Sequence, residues 1–336
     1  MSHDHSGEAC SAPPLRIVVM GTGPFAVPML HALRRSPHEV VAVVTRPAHA
    51  APGRRPPPNP IREAAVAMQV PILDPESVNA PDAVAAIRGL APDLLVVCDY
   101  GQILSPEALA IAPLGGINLH GSLLPRHRGA APVQWAILAG DEVTGVSVIH
   151  MTPALDAGAV LTARSTPIGQ RETAAELEAR LAAVGADAVL EAIDRLQAAH
   201  ASGGASTGLA VGTPQEAGQV TRAPRLTKAD GVVDWSLPAA RIERMRRALE
   251  PWPRTTTFFR KGDAPQRLVL EDVVVADVAV AAAPGTVLAA DDGGIVVACG
   301  GGTAVVITRV VPEGKRSMSA AEFVRGNAVH AGTVLG

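Results

Sequence analysis

Aromatic residues make up only 2% of this 336-residue chain, cysteine occurs three times, and lysine supplies just three of its 29 basic residues. Each shortage excludes something. With three Trp, one Tyr and four Phe, the core must be built from Ala, Val, Leu and Ile, and extensive stacking on nucleobases is not expected. Cys10, Cys98 and Cys299 are isolated and odd in number, so neither a disulfide framework nor metal-ligand spacing is implied, as befits a reducing cytoplasm. Where Arg so outnumbers Lys, a single Arg says little. The leader MSHDHSGEACSAPP lacks a basic region followed by an apolar one, and no later run approaches the length that spans a bilayer. A cytoplasmic protein with no membrane partner is the expectation. His3, Asp4 and His5 sit in that polar leader and receive no role.

What is present is 48% apolar residues and a length comfortable for two domains. The net charge of −3 does not advertise a nucleic-acid binder, but it is unevenly spread. Residues 1–204 hold 14 basic and 19 acidic side chains, net −5, and the remainder 15 and 13, net +2. That leaves room for a basic face in the second part.

Residues 1–14 read as a disordered tail. From Leu15 to about His150, short β-rich runs (Arg16–Met20, Val40–Thr45, Leu94–Cys98, Ile117–Leu119, Val146–His150) alternate with Ala/Leu-rich segments of helical period. This is βαβ patterning and predicts a mainly parallel, Rossmann-like sheet. Thr173-Ala-Ala-Glu176 is a capping box opening a long helix, with an interruption expected at Gly185, and this first domain runs to residue 200. Residues 201–222, small, polar and Gly-rich, read as a linker. Residues 223–336 begin with one helical segment, Pro238–Leu249, and continue in Val-rich runs that predict a smaller β-barrel, OB-like domain. Trp235 and Trp252 are expected to pack in its core.

The loop Gly21-Thr22-Gly23-Pro24-Phe25-Ala26 after the first strand raises the question of a dinucleotide. Such a site needs an acid at the end of the second strand to hold the ribose. That strand ends in Thr45-Arg46-Pro47, which argues against NAD and leaves NADP open. A sharper constellation is GINLHGSLLPRHRGAAP, residues 116–132. Asn118 and His120 flank one residue at the end of a strand, so both side chains share a face at the ligand-binding edge of the sheet. An amide to donate to an oxyanion and an imidazole to move protons suit acyl transfer. Asp156, in the turn Ala154-Leu-Asp-Ala-Gly158, can orient the imidazole. Singly, Asn118 suits a turn, His120 a core position and Asp156 a loop cap.

INLHGSLLPRHRGAAP followed by LDAG resembles the folate-dependent formyltransferases, whose catalytic Asn, His and Asp match Asn118, His120 and Asp156. Within that superfamily the resemblance is to the branch acting on methionyl initiator tRNA, and it continues through RLTKADGVVDWS, RALEPWP and GKRSMSAAEF, from Leu15 to about Gly326. It implies 10-formyltetrahydrofolate as formyl donor, no metal, no NAD(P), and a monomer. Ser122, Leu123, Leu124 and Pro125 match the stretch that cradles the folate, and Asp99-Tyr100-Gly101 matches a loop beside that pocket. The glycine loop is then structural. Relatives commonly carry a small apolar residue at Asp99 and an aromatic at His127. The loop of residues 45–60 matches one that enters the tRNA acceptor stem, with Arg54 and Arg55 at its core, though it is shorter and richer in Pro. Arg244 and Arg247, on the helix with Arg241 and Arg246, are further candidates to track phosphates; the competing reading pairs that helix with Glu243 and Glu250. The alternatives are a formyltransferase acting on another amine and a non-catalytic NADP- or RNA-binding regulator.

Overall fold

The computed structural model describes residues 13–48, 58–201, 211–261 and 264–336. Arg54 and Arg55 lie outside the described residues, as do residues 1–12 of the expected tail and 202–210 of the expected linker. The chain folds as two compact units. The first takes the described residues of Met1–Arg128, Gly145–Thr166 and Glu178–Arg222, and the second those of Gly129–Thr144, Pro167–Leu177 and Ala223–Gly336.

In the first unit, β1 (Arg16–Gly21), β2 (Glu39–Val44), β3 (Ile72–Leu73), β4 (Leu94–Cys98) and β5 (Gly116–His120) alternate with α1 (Val27–Arg35), α2 (Pro60–Ala67), α3 (Pro81–Gly89) and α4 (Pro106–Leu109). Along the chain then follow β6 (Arg128–Gly129), at the boundary, α5 (Pro132–Ala139), which belongs to the second unit, and, mostly in the first, β7 (Val143–His150), β8 (Val160–Pro167) and α6 (Ala174–Ala201). The seven-stranded sheet has the order β3-β2-β1-β4-β5-β7-β8, parallel from β3 to β5 and antiparallel at β5–β7. Every residue of β4 is buried, as expected of a central parallel strand covered on both faces. The order reverses between β1 and β4, so the ligand crevice falls at the carboxyl ends of the central strands.

Helix α2 starts at Asn59, whose side chain accepts the Arg62 N–H, and α6 starts at the expected capping box, with Thr173 and Glu176 bonding reciprocally. Contrary to expectation, Gly185 does not interrupt α6. Its lack of a side chain serves packing: a Cβ there would stand 2.7 Å from Leu119 Cδ2. The helix thus lies directly against the strand that carries Asn118 and His120.

The second unit contains β9 (Arg222–Ala223), α7 (Ala239–Ala248), β10 (Thr256–Lys261), β11 (Ala264–Ala276), β12 (Val287–Asp291), β13 (Gly294–Cys299), β14 (Thr303–Pro312), β15 (Met318–Ser319) and α8 (Ala320–Arg325). Its antiparallel sheet runs β10-β11-β14-β13-β12, with β15 on β14; the hydrogen-bonded path is open between β10 and β12. The core gathers Leu268, Leu270, Ile295, Val305 and Ile307 with Trp235, Phe259 and Phe323. The two phenyl rings meet edge to face with centroids 5.0 Å apart. Trp235 is buried and donates to Thr257 Oγ1 at 3.0 Å. Trp252 is not in this core. It is 52% exposed, because the Leu249 carbonyl accepts the Arg254 N–H and leaves the residues between them at the apex of a loop.

Among the described residues no helix is long and apolar enough to cross a membrane.

Candidate active site

His120 ends β5, and Asn118 precedes it by two residues, hydrogen-bonded in register between Val97 of β4 and Ile149 of β7. Asn118 is half-buried, and no described residue takes a hydrogen bond from its amide. The imidazole of His120 is 6% exposed, with Nε2 3.0 Å from the carbonyl oxygen of His127 and Nδ1 3.8 Å from Oδ2 of Asp156. A carbonyl can only accept, so Nε2 carries a proton and Nδ1 is the nitrogen left for chemistry. The contact that fixes the tautomer is therefore the His127 carbonyl, a partner the sequence did not reveal. The Asp156 carboxylate, 10% exposed, lies too far for a hydrogen bond and close enough to stabilise a charged ring.

Both supporting loops use unusual backbone. His127 has φ +57° and Asp156 φ +50°, left-handed conformations that cost non-glycine residues energy and persist where neighbours hold them. Strand β7 runs away from His120, reaching His150 opposite Ile117, and the chain must double back to bring Asp156 to the ring. Gly158 permits that return: a Cβ on it would collide with the His150 carbonyl.

The Ser122–Pro125 loop is tied to β7. Ser122 Oγ donates to the Arg126 carbonyl (2.7 Å), while Ser147 Oγ donates to the Ser122 carbonyl (2.8 Å) and accepts the Leu124 N–H (3.0 Å). The Ser122 hydroxyl is thus committed to shaping the loop. Leu123, Leu124 and Pro125 remain half-buried, an apolar surface adjoining His120. Tyr100 departs from the picture of a pocket-lining residue, since its side chain is 2% exposed and packs in a core cluster with Met20, Val97 and Leu104. Its hydroxyl has no hydrogen-bond partner among the described residues, and burial, opposed by Arg46, pushes the phenol up to about 12. Ile103, further along the same loop, is 67% exposed. Desolvation raises the Asp99 carboxyl above its ordinary range, against the pull of Arg46 and of the Gly23 N–H beside it.

Two residues of the expected linker belong to this site. Gln215 Nε2 donates to the carbonyls of Asp156 and Gly158, both at 2.8 Å, while its Oε1 accepts from Nε (3.0 Å) and Nη2 (2.7 Å) of Arg128. Thr221 Oγ1 accepts the His127 N–H at 2.8 Å. Among the described residues there is no cluster of His, Cys, Asp and Glu suited to a metal ion.

Residues 15–193 match the family described as Formyl transferase, and residues 225–328 its C-terminal domain. The chain belongs to the formyltransferase family. This formyltransferase is 45% identical to the methionyl-tRNA formyltransferase of Rhodopirellula baltica, over 96% of each chain. It is 43% identical to that of Symbiobacterium thermophilum, over 95% of this chain and 94% of the other. Among solved structures, HypX from Aquifex aeolicus in complex with tetrahydrofolic acid shares the fold, with a TM-score of 0.57 and 19% identity over 92% of this chain and 47% of that one.

On the second unit, the formyltransferase does not expose all four arginines of α7. Arg247 is buried, its Nε and Nη2 bonded to the two Glu243 carboxylate oxygens at 2.7 and 3.1 Å and its Nη1 to the Glu172 carbonyl at 3.1 Å. Arg246 donates to the Glu271 carbonyl. Arg241 and Arg244 make no ion pair with a described residue; burial, then the neighbouring Arg244, depresses the Arg241 pKa. Arg244 lies against Gly140, the left-handed residue that ends α5.

Proposed function

We propose that this formyltransferase moves the formyl group of 10-formyltetrahydrofolate to the α-amino group of methionine esterified to initiator tRNA. The observation that carries the reading is the His120 site on a chain that matches, end to end and through its C-terminal unit, relatives named for this reaction.

The residues fit the donor. Leu123, Leu124 and the exposed Ile103 offer apolar cover for flat rings, and the unpaired Asn118 amide stands beside His120 to meet the formyl oxygen. An α-amino group titrates near 8 and lower as an ester, so much of the nucleophile is already neutral at pH ~7. Its nitrogen attacks the formyl carbon, and the oxyanion that develops accepts from the Asn118 amide. Nδ1 of His120 takes the proton that the attacking nitrogen sheds. The imidazolium so formed is held by the His127 carbonyl at Nε2 and by the Asp156 charge near Nδ1. Collapse breaks the bond from carbon to N10, and the same proton passes to N10 as tetrahydrofolate leaves. No strong base is required, which suits a histidine with a distant carboxylate.

For the RNA, Arg54, Arg55 and Arg244 are assigned to phosphates. Arg247, its guanidinium already committed, serves by holding α7. We read the protein as a cytoplasmic monomer. The test is formyl transfer by purified protein given 10-formyltetrahydrofolate and either initiator or elongator methionyl-tRNA. Transfer to the initiator alone, lost in His120→Ala, supports the proposal; no transfer to either overturns it and redirects the search to another amine.

A further inference from the structure

We infer that Gln215 is a positioning residue for catalysis: it sets the separation of the His120 imidazole and the Asp156 carboxylate by holding together the two loops that present them. The inference rests on the catalytic reading of those residues.

The argument is one of hydrogen-bond accounting. A primary amide offers two donors and two acceptor sites, and Gln215 uses all four on the two loops. Both donors go to the Asp156 loop, at the carbonyls of Asp156 itself and of Gly158. Both acceptor sites are taken by the guanidinium of Arg128, the residue after His127. The His127 carbonyl is the group that bonds His120 Nε2. One side chain therefore connects the carbonyl that orients the ring to the backbone of the acid that faces it.

The rest of the segment serves the same end. Thr213 and Val160 exchange both backbone hydrogen bonds, at 2.8 and 2.9 Å, anchoring the segment just beyond the Asp156 loop. Thr221 fastens the other side, its Oγ1 accepting the His127 N–H and its carbonyl the Arg128 N–H at 2.9 Å. Gln215 is half-buried and belongs to neither apolar core, so removing it deletes little packing. What it deletes is the brace between two strained loops. Because Nδ1 and Oδ2 are already 3.8 Å apart, further loosening weakens the stabilisation of the imidazolium directly.

The experiment compares Gln215→Ala and Gln215→Glu with the parent protein in the formyl-transfer assay, in the parent and Asp156→Ala backgrounds, with thermal melting to verify folding. Gln215→Ala is expected to lower kcat by ~10–100-fold with KM for methionyl-tRNA and for the formyl donor within ~3-fold, since misplacement by about 1 Å costs rate rather than binding. Gln215→Glu keeps the acceptors for Arg128 but turns the donors into oxygens facing two carbonyls, and is expected to be no better. In the Asp156→Ala background Gln215→Ala should cost no more than ~2-fold, because the residue acts through the one already removed. An unchanged kcat in Gln215→Ala, a full rescue by Gln215→Glu, a loss confined to KM, or an equal penalty in both backgrounds would each overturn the inference while leaving the catalytic trio standing. Near-normal turnover by Asp156→Ala alone would remove the trio reading and the inference with it.

Discussion

The Asp99 carboxylate lies over Gly23, beside its N–H, filling the space where a Cβ on that glycine would go. This relationship answers the question posed by the glycine loop. In a dinucleotide site the N–H groups there are offered to a pyrophosphate. Here a carboxylate of the chain's own has taken that position, and Arg46 nearby donates to the Gly101 carbonyl at 2.9 Å.

Gly23→Ala should therefore destabilise the protein by ~1–3 kcal/mol through overpacking, and Asp99→Ala should relieve most of that cost in the double variant. Thermal melting of the four proteins measures the coupling; additive effects would refute the contact. Titration of the parent protein with NADP should show no saturable binding.

The pH dependence of stability should reveal a second carboxylate. Burial, and then Asp99, raises the Glu178 carboxyl above its normal 4.5. The unfolded chain loses this proton near pH 4.5 while the folded chain keeps it to higher pH, so folding binds protons and stability falls as pH rises through the folded pKa. Glu178→Gln should raise Tm at neutral pH, with the gain vanishing below pH ~4. A pH-independent gain would point to something other than titration.

Gly185→Ala gains helix propensity, about 1 kcal/mol by the Ala–Gly difference, yet its methyl meets Leu119 at 2.7 Å. Leu119 sits between Asn118 and His120, so the strain arrives where the chemistry is. The expected outcome is a kcat reduced more than Tm, and normal kinetics would show that the strand can give way.

Asn118→Ala should lower kcat by ~10²–10³, the usual worth of an oxyanion donor, with KM for the tRNA unchanged. A fall in affinity without a fall in kcat would make Asn118 a binding residue instead.

Salt dependence separates the arginines. Arg54→Ala should raise the KM for tRNA and reduce the slope of log KM against log salt by about one. Arg247→Ala should leave that slope alone and lower Tm, since it strands Glu243 in a part-buried site. Equal slopes in both variants would contradict the division.

Much of this was legible in the sequence because it was local. Arg16–Met20 and Leu94–Cys98 read as strands from continuous apolar runs, and the pair Asn118 and His120 from period-two spacing on one of them. The rest is non-local or set by contacts. Gly185 looked like a helix interruption because its partner, Leu119, is 66 positions away. Gln215 and Thr221 lay in a segment without periodicity, and nothing in Thr-Pro-Gln announces a brace. Arg247 and Arg244 share a spacing, and the bonds to Glu243 and to the distant Glu172 carbonyl distinguish the sequestered one from the other. Residue type alone suggests a core position for Trp252, whereas its place in a loop decides its exposure.

The doubling back between His150 and Asp156 makes that loop a ruler. From Ile117 to His120 is three residues of strand, ~10 Å at 3.3 Å per residue, and the loop must recover that distance to return the carboxylate to the ring. One residue added or removed shifts Asp156 by up to ~3 Å, nearly the whole present separation from His120. The segment is thus fixed in length, so insertions and deletions there fall on catalysis before they fall on folding.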